Sequence, residues 1–531
     1  MKHTLQLNDA LYNAGLLGLV RVMERMGIPL ENERGTSLTV DDSIFEDGKF
    51  TEAYLDELCD RYQSQTKYAK LMQELSRYTG KNPEIPDKTD KEYKAWITSV
   101  KTKLESASYK AAYEIVAKQE SEAFDFRPLI QKWKSSKEPA QQIACVPELY
   151  EKLKQYGKTF VLKDIIYNFV QPYWGGIAFL HKTKNKDPFE QTVEEEFIQQ
   201  ILSYKPKKGK KVYHCLQCDA VLSGAPTNAS MSWIENVGVD IKRKTNGFWD
   251  FNIDLAPCPL CKLVYACMPI GFRCMAYEGV FINSNTNFGR LKSLNDLTSM
   301  DPTEGSFATI INTFVVEAEL REAENKLQNI QVIRRRKNDD GQWEYRVNIL
   351  SAELLKKFKQ CKESLERLIK INPRLHRQVI NEILEGKNLY PLLYKQYRET
   401  LRKKYSLGIY FDVLRVQITM FAGKEKDCMT KRKLCEAKDE GNSLREQMAK
   451  RINGKNTMTL SYGLLNALQA GDKNRFLQLV MRQYLSMNLQ VPDLFIDTIA
   501  DDEAFRAIGN AFLIGLNAEE PRKQKEEEKK A

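Results

Sequence analysis

Two cysteine pairs of the same form, Cys215-Leu-Gln-Cys218 and Cys258-Pro-Leu-Cys261, lie 39 residues apart in this chain. No other feature constrains it as strongly. A C-x-x-C turn lets two thiolates approach one ion from the same side, and two such knuckles supply the tetrahedral four-thiolate set of structural zinc sites. Thiolates also suit iron, but zinc is the default ion for this arrangement. The competing explanation is that one pair is a redox dithiol or a buried pair of small hydrophobes. Four protein ligands close the coordination sphere, so a metal held here is structural and not catalytic. His214, beside Cys215, is an alternative to one thiolate. Cys267 and Cys274 fall in the apolar run LVYACMPIGFRC and are expected in the core, as are the isolated Cys59, Cys145, Cys361, Cys428 and Cys435.

The 531 residues are enough for roughly three domains with real apolar cores. With 42% hydrophobic and 29% charged residues the composition is that of a folded soluble protein. The most apolar window, Phe160–Leu180, is interrupted by Lys163, Asp164 and Gln171, so no membrane span is expected. The opening MKHTLQLNDALYNAG has no secretory pattern, and a cytosolic protein with reduced thiols is expected.

Lys and Arg exceed Asp and Glu by 81 to 71, a modest surplus whose distribution matters more than its total. Lys205, Lys207, Lys208, Lys210 and Lys211 crowd the run SYKPKKGKKVY, followed by Lys242-Arg243-Lys244 and Arg334-Arg335-Arg336-Lys337. From Arg402 to Lys455, 14 basic residues face 7 acidic ones. A single lysine run is commonly a solvated face. Several together, with 10% aromatic residues, favour a polyanionic partner, with nucleic acid foremost.

Periodicity predicts an α+β chain: a mainly helical N-terminal region, a loop-rich four-cysteine zinc module with short strands and a β-hairpin, and a C-terminal helical bundle. A helix capped by Asn8 or Asp9 runs through Leu11, Leu16, Val20 and Met23 to a stop at Gly27 and Pro29. Gly15 and Gly18 weaken it, which predicts close approach by another element. Residues 38–45 alternate like a strand, and helical pattern follows over 51–78, 92–117, 147–156, 162–173 and 192–204. The domains are then 1–204, mainly helical; 205–300, the zinc-stapled basic module; 301–350, a helix and hairpin connector; 351–516, the helical bundle; and 517–531, a disordered charged tail. The connector helix covers 307–327, the hairpin turns at Asn338-Asp339-Asp340-Gly341, and Ser351 caps the next helix.

No G-x-x-x-x-G-K-[ST] loop or G-x-G-x-x-G fingerprint occurs, and the four histidines, His3, His181, His214 and His376, are far apart in sequence. No pair of carboxylates stands out from surface charge. A catalytic centre is not expected.

The segments LYNAG (11–15), the Cys215/Cys218 knuckle, FWDF (248–251), CPLCKLVYACMPIGF (258–272) and FINSN (281–285) resemble the CXXC–CXXC family, large subunits of type I-B CRISPR Cascade complexes. The resemblance is specific over about residues 8–290 and loose beyond. It implies a prokaryotic cytoplasmic subunit that binds guide RNA and target DNA beside backbone and small subunits. Such a subunit reads the protospacer-adjacent motif, helps open the duplex and offers a surface to a helicase–nuclease. Base pairing with the guide carries most sequence information, and protein contacts read only the flank. The C-terminal helices of such subunits resemble a separate small subunit.

Candidate DNA contacts follow from chemistry, because no exact contact motif transfers. Base edges are read by donors and acceptors, and Asn228, Ser230, Lys242, Arg243, Lys244, Asn246, Asn283, Asn285 and Asn287 supply them near the cysteines. An Asn in such loops is more commonly a turn or cap residue. Phe248 and Trp249 are candidate wedges, with core packing the commoner fate of an F-W-D-F alternation. Lys205, Lys207, Lys208, Lys210 and Lys211 would grip phosphates without specifying sequence. Arg402, Lys403, Lys431, Arg432, Lys433, Lys450 and Arg451 could hold the displaced strand or the guide–target duplex. Two rival functions stand beside this one: a zinc-ribbon nucleic-acid-processing enzyme with dispersed carboxylates, and a stand-alone zinc adaptor.

Overall fold

In the computed structural model the chain is described over residues 2–80, 83–118, 123–136, 138–171, 173–174, 187–205, 213–222, 234, 257–275, 278–296, 330–337, 340–421, 427–451 and 457–518. It is mostly helical with small antiparallel sheets. Two compact units emerge: the described residues through 296 together with Ile330–Ile349, and a second that begins at Leu350. Among the described residues no helix is long and apolar enough to cross a membrane.

The first unit is organised around one helix, Ala10–Arg25. Asp9 caps it by accepting from the Leu11 and Tyr12 amides at 3.0 and 2.9 Å, and Gly27, at φ +78°, lies just past its end. Every residue from Tyr12 to Met23 is buried. A helix covered on all sides needs partners all round, and its one internal cation, Arg21, is satisfied by the Ile270 carbonyl at 2.9 Å and Asp296 at 2.8 Å. Burial still lowers the Arg21 pKa to about 10.

Strand β1 (Lys2–Gln6), not foreseen in the sequence, pairs antiparallel with β2 (Ser37–Asp41). The strand expected over 38–45 stops at Asp41, whose carboxylate accepts from the Ser43 amide at 3.1 Å and turns the chain into a short helical segment. The helical region expected over 51–78 is two helices, Lys49–Tyr62 and Lys67–Ser76, parted where Thr66 caps the second. Likewise the pattern over 92–117 resolves into Lys91–Leu104 and Ala107–Val116. Helices Val146–Gln155 and Gly157–Ile165 follow, and the Phe160 ring sits 5.1–5.6 Å from Tyr109, Tyr113 and Phe126 in an aromatic core.

The cysteine region contributes a small hairpin, β3 (Tyr213–His214) against β4 (Val221–Leu222), and helices Pro259–Ala266 and Met268–Gly271. Beyond them β5 (Arg273–Met275), β6 (Glu278–Asn283), β7 (Ile330–Lys337) and β8 (Trp343–Leu350) form one sheet in chain order, with Glu278 opposite Arg336 and Asn283 opposite Gln331. The 330–350 hairpin, assigned above to a connector, therefore completes a sheet begun by the cysteine region. Its turn contains Gly341 at φ +76°, as the sequence predicts. Two residues of the basic run 334–337, Arg334 and Arg335, are not open to a polyanionic partner. Because β7 is an inner strand, Arg334 and Arg335 are 2% and 1% exposed, and the Arg335 guanidinium lies 4.2 Å from the Trp343 ring centroid and 4.8 Å from that of Tyr173.

Among its described residues the second unit is helical between Ala352 and Leu516, opening where Ser351 caps Leu354 at 3.1 Å. Its longest helix, Asp427–Arg451, lies against Asp502–Leu516 at paired glycines, for a methyl on Gly441 would overlap the Phe512 carbonyl and one on Gly515 the Lys438 carbonyl. The helix expected over 307–327 and the tail from 519 onward lie outside the described residues.

His376 is fully buried in this unit, neither ring nitrogen has a partner among the described residues, and burial lowers its pKa to about 4. Between about pH 6.5 and 4 the unfolded chain therefore binds the proton that the folded one refuses. Stability is expected to be full above the unfolded value and to fall with pH across that window, by about 3 kcal/mol. Denaturant melts of wild type and His376→Leu should show the acid loss shrinking in the variant; equal pH slopes would contradict this.

Candidate metal centre in a CRISPR-associated domain

The first knuckle is a tight turn closing β3 on β4. The Cys215 amide donates to the Ala220 carbonyl at 2.8 Å, the Asp219 amide to the Cys215 carbonyl at 3.0 Å, and Asp219 takes a left-handed φ of +58°. The second knuckle is a helix start. Cys258 is the N-cap of Pro259–Ala266, its Sγ accepting from the Cys261 amide at 3.4 Å, with Pro259 in the first helical position. These two local devices bring Cys215, Cys218, Cys258 and Cys261 together, with all four Sγ atoms within 4.8 Å of one another and Cys218 3.6 Å from Cys258. A tetrahedron with metal–sulfur bonds of about 2.3 Å has sulfur–sulfur edges of about 3.8 Å, so the cluster is the right size for one ion. The Cys258 amide also donates to the Cys215 Sγ at 3.2 Å, as expected for a thiolate.

Electrostatics point the same way. Hydrogen bonds from Cys218, Cys258 and Cys261 hold Cys215 far below the ordinary thiol range, while bonding to Cys215 and burial push Cys258 and Cys261 far above it. Four thiols this close cannot all ionise without a cation among them. The donor set fits a structural zinc. His214 is not part of it: its ring turns to the Asp219 carbonyl at 2.9 Å and carboxylate at 3.2 Å. Cys267 is fully buried core, as expected, and Cys59, Cys145 and Cys361 are buried, while Cys435 is only half-buried. The side chains of Cys274 and Cys428 lie outside the described residues.

A layer around the thiols was not legible from spacing. The Tyr12 hydroxyl meets the Cys261 Sγ at 3.2 Å. Gln217, inside the first knuckle, donates to Asp9 at 2.7 Å and to the Tyr265 hydroxyl at 2.6 Å, and accepts from Asn8 at 2.9 Å. Tyr54 and Tyr62 donate to the Ala266 and Phe272 carbonyls at 2.9 and 3.1 Å, satisfying the end of the knuckle helices. The only sequence signal for this layer was the LYNAG segment itself, whose residues sit where the two knuckles meet the central helix. Tyr12→Phe is expected to weaken zinc retention about tenfold against a chelator; unchanged chelator competition would remove Tyr12 from this role.

Residues 208–273 match the family profile described as CRISPR-associated protein (Cas_CXXC_CXXC). The chain carries a CRISPR-associated CXXC–CXXC domain. No curated protein and no solved structure matches the chain. The CXXC–CXXC domain contributes both knuckles. Of the candidate nucleic-acid residues, Asn283 is buried and bonded to Asn13 at 2.8 Å and Gln331 at 3.0 Å. Asn285 is exposed but engaged with Asn13 at 2.6 Å and the Asn8 carbonyl at 3.0 Å, and Asn287 caps Arg290 at 2.7 Å. Asn283 and Asn285 thus brace the end of β6 and the loop after it against the start of the central helix, while Asn287 caps the helix that follows.

Lys205 is exposed at the edge of the domain. Lys207, Lys208, Lys210, Lys211, Asn228, Ser230, Lys242, Arg243, Lys244, Asn246, Phe248 and Trp249 lie outside the described residues. Arg402, Lys403, Arg432 and Lys450 are exposed on the second unit and Lys433 is half-buried there; Lys431 and Arg451 share the helix Asp427–Arg451.

Proposed function

We propose that this chain is a non-enzymatic DNA-recognition and scaffold subunit of an RNA-guided type I-B surveillance complex, occupying the large-subunit position. It reads the protospacer-adjacent motif, promotes duplex opening and presents a surface to the helicase–nuclease. One observation carries the reading: the four-cysteine cluster brings both ends of the 39-residue segment between Cys218 and Cys258 together against a helix buried from Tyr12 to Met23. The CXXC–CXXC match covers that segment and supports a CRISPR-associated role for it. The segment carries Lys242, Arg243, Lys244, Asn228 and Asn246, which are phosphate and base-edge chemistry. Zinc on the cysteines would hold the segment's ends and supply no reaction chemistry.

The decisive test co-expresses the chain with its neighbouring operon and a guide RNA, then measures gel-shift binding to duplexes with a randomised flank. Enrichment of a short flank motif that disappears without this chain is expected; binding with no flank preference would overturn the reading. Within that assay Lys207→Ala and Lys210→Ala should weaken all flanks alike, with a shallower salt dependence, whereas Asn285→Ala should change the ranking of flanks. Equal losses on every flank would remove Asn285 from the reading face.

A further inference from the structure

The second unit contains an open cleft of about 750 Å³ between helices Tyr390–Arg402, Thr457–Ala470 and Asp502–Leu516. Its lining is basic and aromatic. Lys395, Arg398 and Arg402 stand on one stripe of the first helix, three and then four residues apart, and Arg506 comes from the third. Glu399 is the sole carboxylate among the lining residues. None of the four cations has an ion-pair partner among the described residues, and Arg398 is steadied by a neutral one, the Gln469 side chain at 2.9 Å. Elsewhere on the same unit exposed arginines do find carboxylates, as Arg367 does with Asp412 at 2.7 Å.

Two tyrosines line the cleft from the same first helix, N-terminal to the cations. Tyr390 and Tyr394 stack with ring centroids 6.2 Å apart and planes 18° from parallel. The Tyr394 hydroxyl is held by the Leu468 carbonyl at 3.3 Å, which fixes the half-buried ring, while Arg506 lies 5.8 Å from the centroid of the buried Tyr390 ring. Among the described residues the Tyr390 hydroxyl has no hydrogen-bond partner.

We infer that this cleft binds a nucleotide unit, its base against Tyr394 and its phosphates along Lys395, Arg398 and Arg402. The volume is that of a small-molecule site. At 1.5 Å rise per residue the cationic row is about 10 Å long, room for successive phosphates rather than one. Guanidiniums pair with phosphate oxygens two at a time, and tyrosine faces stack on any base. The same chemistry is offered by a free nucleoside triphosphate and by a nucleotide within a single strand. For Arg402 the inference extends the nucleic-acid reading above, but it concerns the isolated chain, so flank selection by the assembled complex can fail without affecting it.

The test titrates the purified full chain with ATP and, separately, with a deoxythymidine hexamer, by calorimetry at low salt. Saturable binding of at least one probe is expected, weakened at least tenfold by the double variant Arg398→Gln/Arg402→Gln. Lys370→Gln/Arg374→Gln removes the same charge from exposed positions outside the cleft and should change affinity less than twofold. Preference for ATP identifies a free-nucleotide site, and preference for the hexamer a strand site. Failure of both probes to bind, or equal weakening by the two double variants with circular dichroism unchanged, would overturn the inference.

Discussion

Cys258→Ser is expected to lower zinc content from one ion per chain to well below that and to bring the first thermal transition down by about 10 °C. The residue has two roles in one atom: its Sγ belongs to the four-thiol cluster and also caps the helix Pro259–Ala266 by accepting from Cys261. Serine can keep part of the cap but is a poor fourth ligand, and a structural zinc contributes on the order of 10 kcal/mol of folding free energy when its site forms only in the folded state. Part of that is retained here because the helix is also buried against Ala10–Arg25, so a loss of about 3–5 kcal/mol is the realistic scale. A strong chelator should reproduce the effect on wild type. Emission spectrometry for zinc with calorimetric melting checks both halves. A variant with full metal and an unchanged melt would show that the cysteines pack without a shared ion.

Gly15→Ala and Gly271→Ala are each expected to destabilise the same unit by about 3 kcal/mol, although alanine favours a helix over glycine. A methyl on Gly15 would overlap the Val264 carbonyl, one on Gly18 the Cys267 carbonyl, and one on Gly271 the Ala14 carbonyl. These obstacles are backbone atoms of buried helices, so no side chain can swing aside. The central helix must instead retreat from the knuckle helix, pulling Tyr12 from Cys261. Gly80→Ala is the control, for nothing lies within 4 Å of an added methyl there. Melting should fall by about 5–10 °C for the two buried sites and stay within about 1 °C for Gly80→Ala. Indistinguishable melts would mean that the helices have room to separate at no cost.

The metal centre was the most legible part of the sequence because its information is local. A C-x-x-C turn is specified by residues three apart, and Cys258-Pro-Leu-Cys261 proves to be both a ligand pair and a helix start. The helix caps Asp9 and Ser351 and the Gly341 turn were legible for the same reason. Boundaries failed where a single polar side chain redirects the backbone, as Asp41 and Thr66 do, since either residue also suits a strand or a helix interior. Arg334 and Arg335 were misread for a different reason: charge says exposed, but position within a sheet says buried, and position is a property of the neighbours.

By itself, then, the sequence determined the ligand set, the helical character of both ends and the presence of a buried, glycine-marked contact on the first helix. It could not say what made that contact. Only the tertiary structure set Val264 and Cys267 against Gly15 and Gly18, put Tyr12 on Cys261, and turned Asn283 from a candidate reader into a buried brace. Those pairings join residues some 250 positions apart, and their energy comes from excluded volume and desolvation at close approach, which no local pattern of residues encodes.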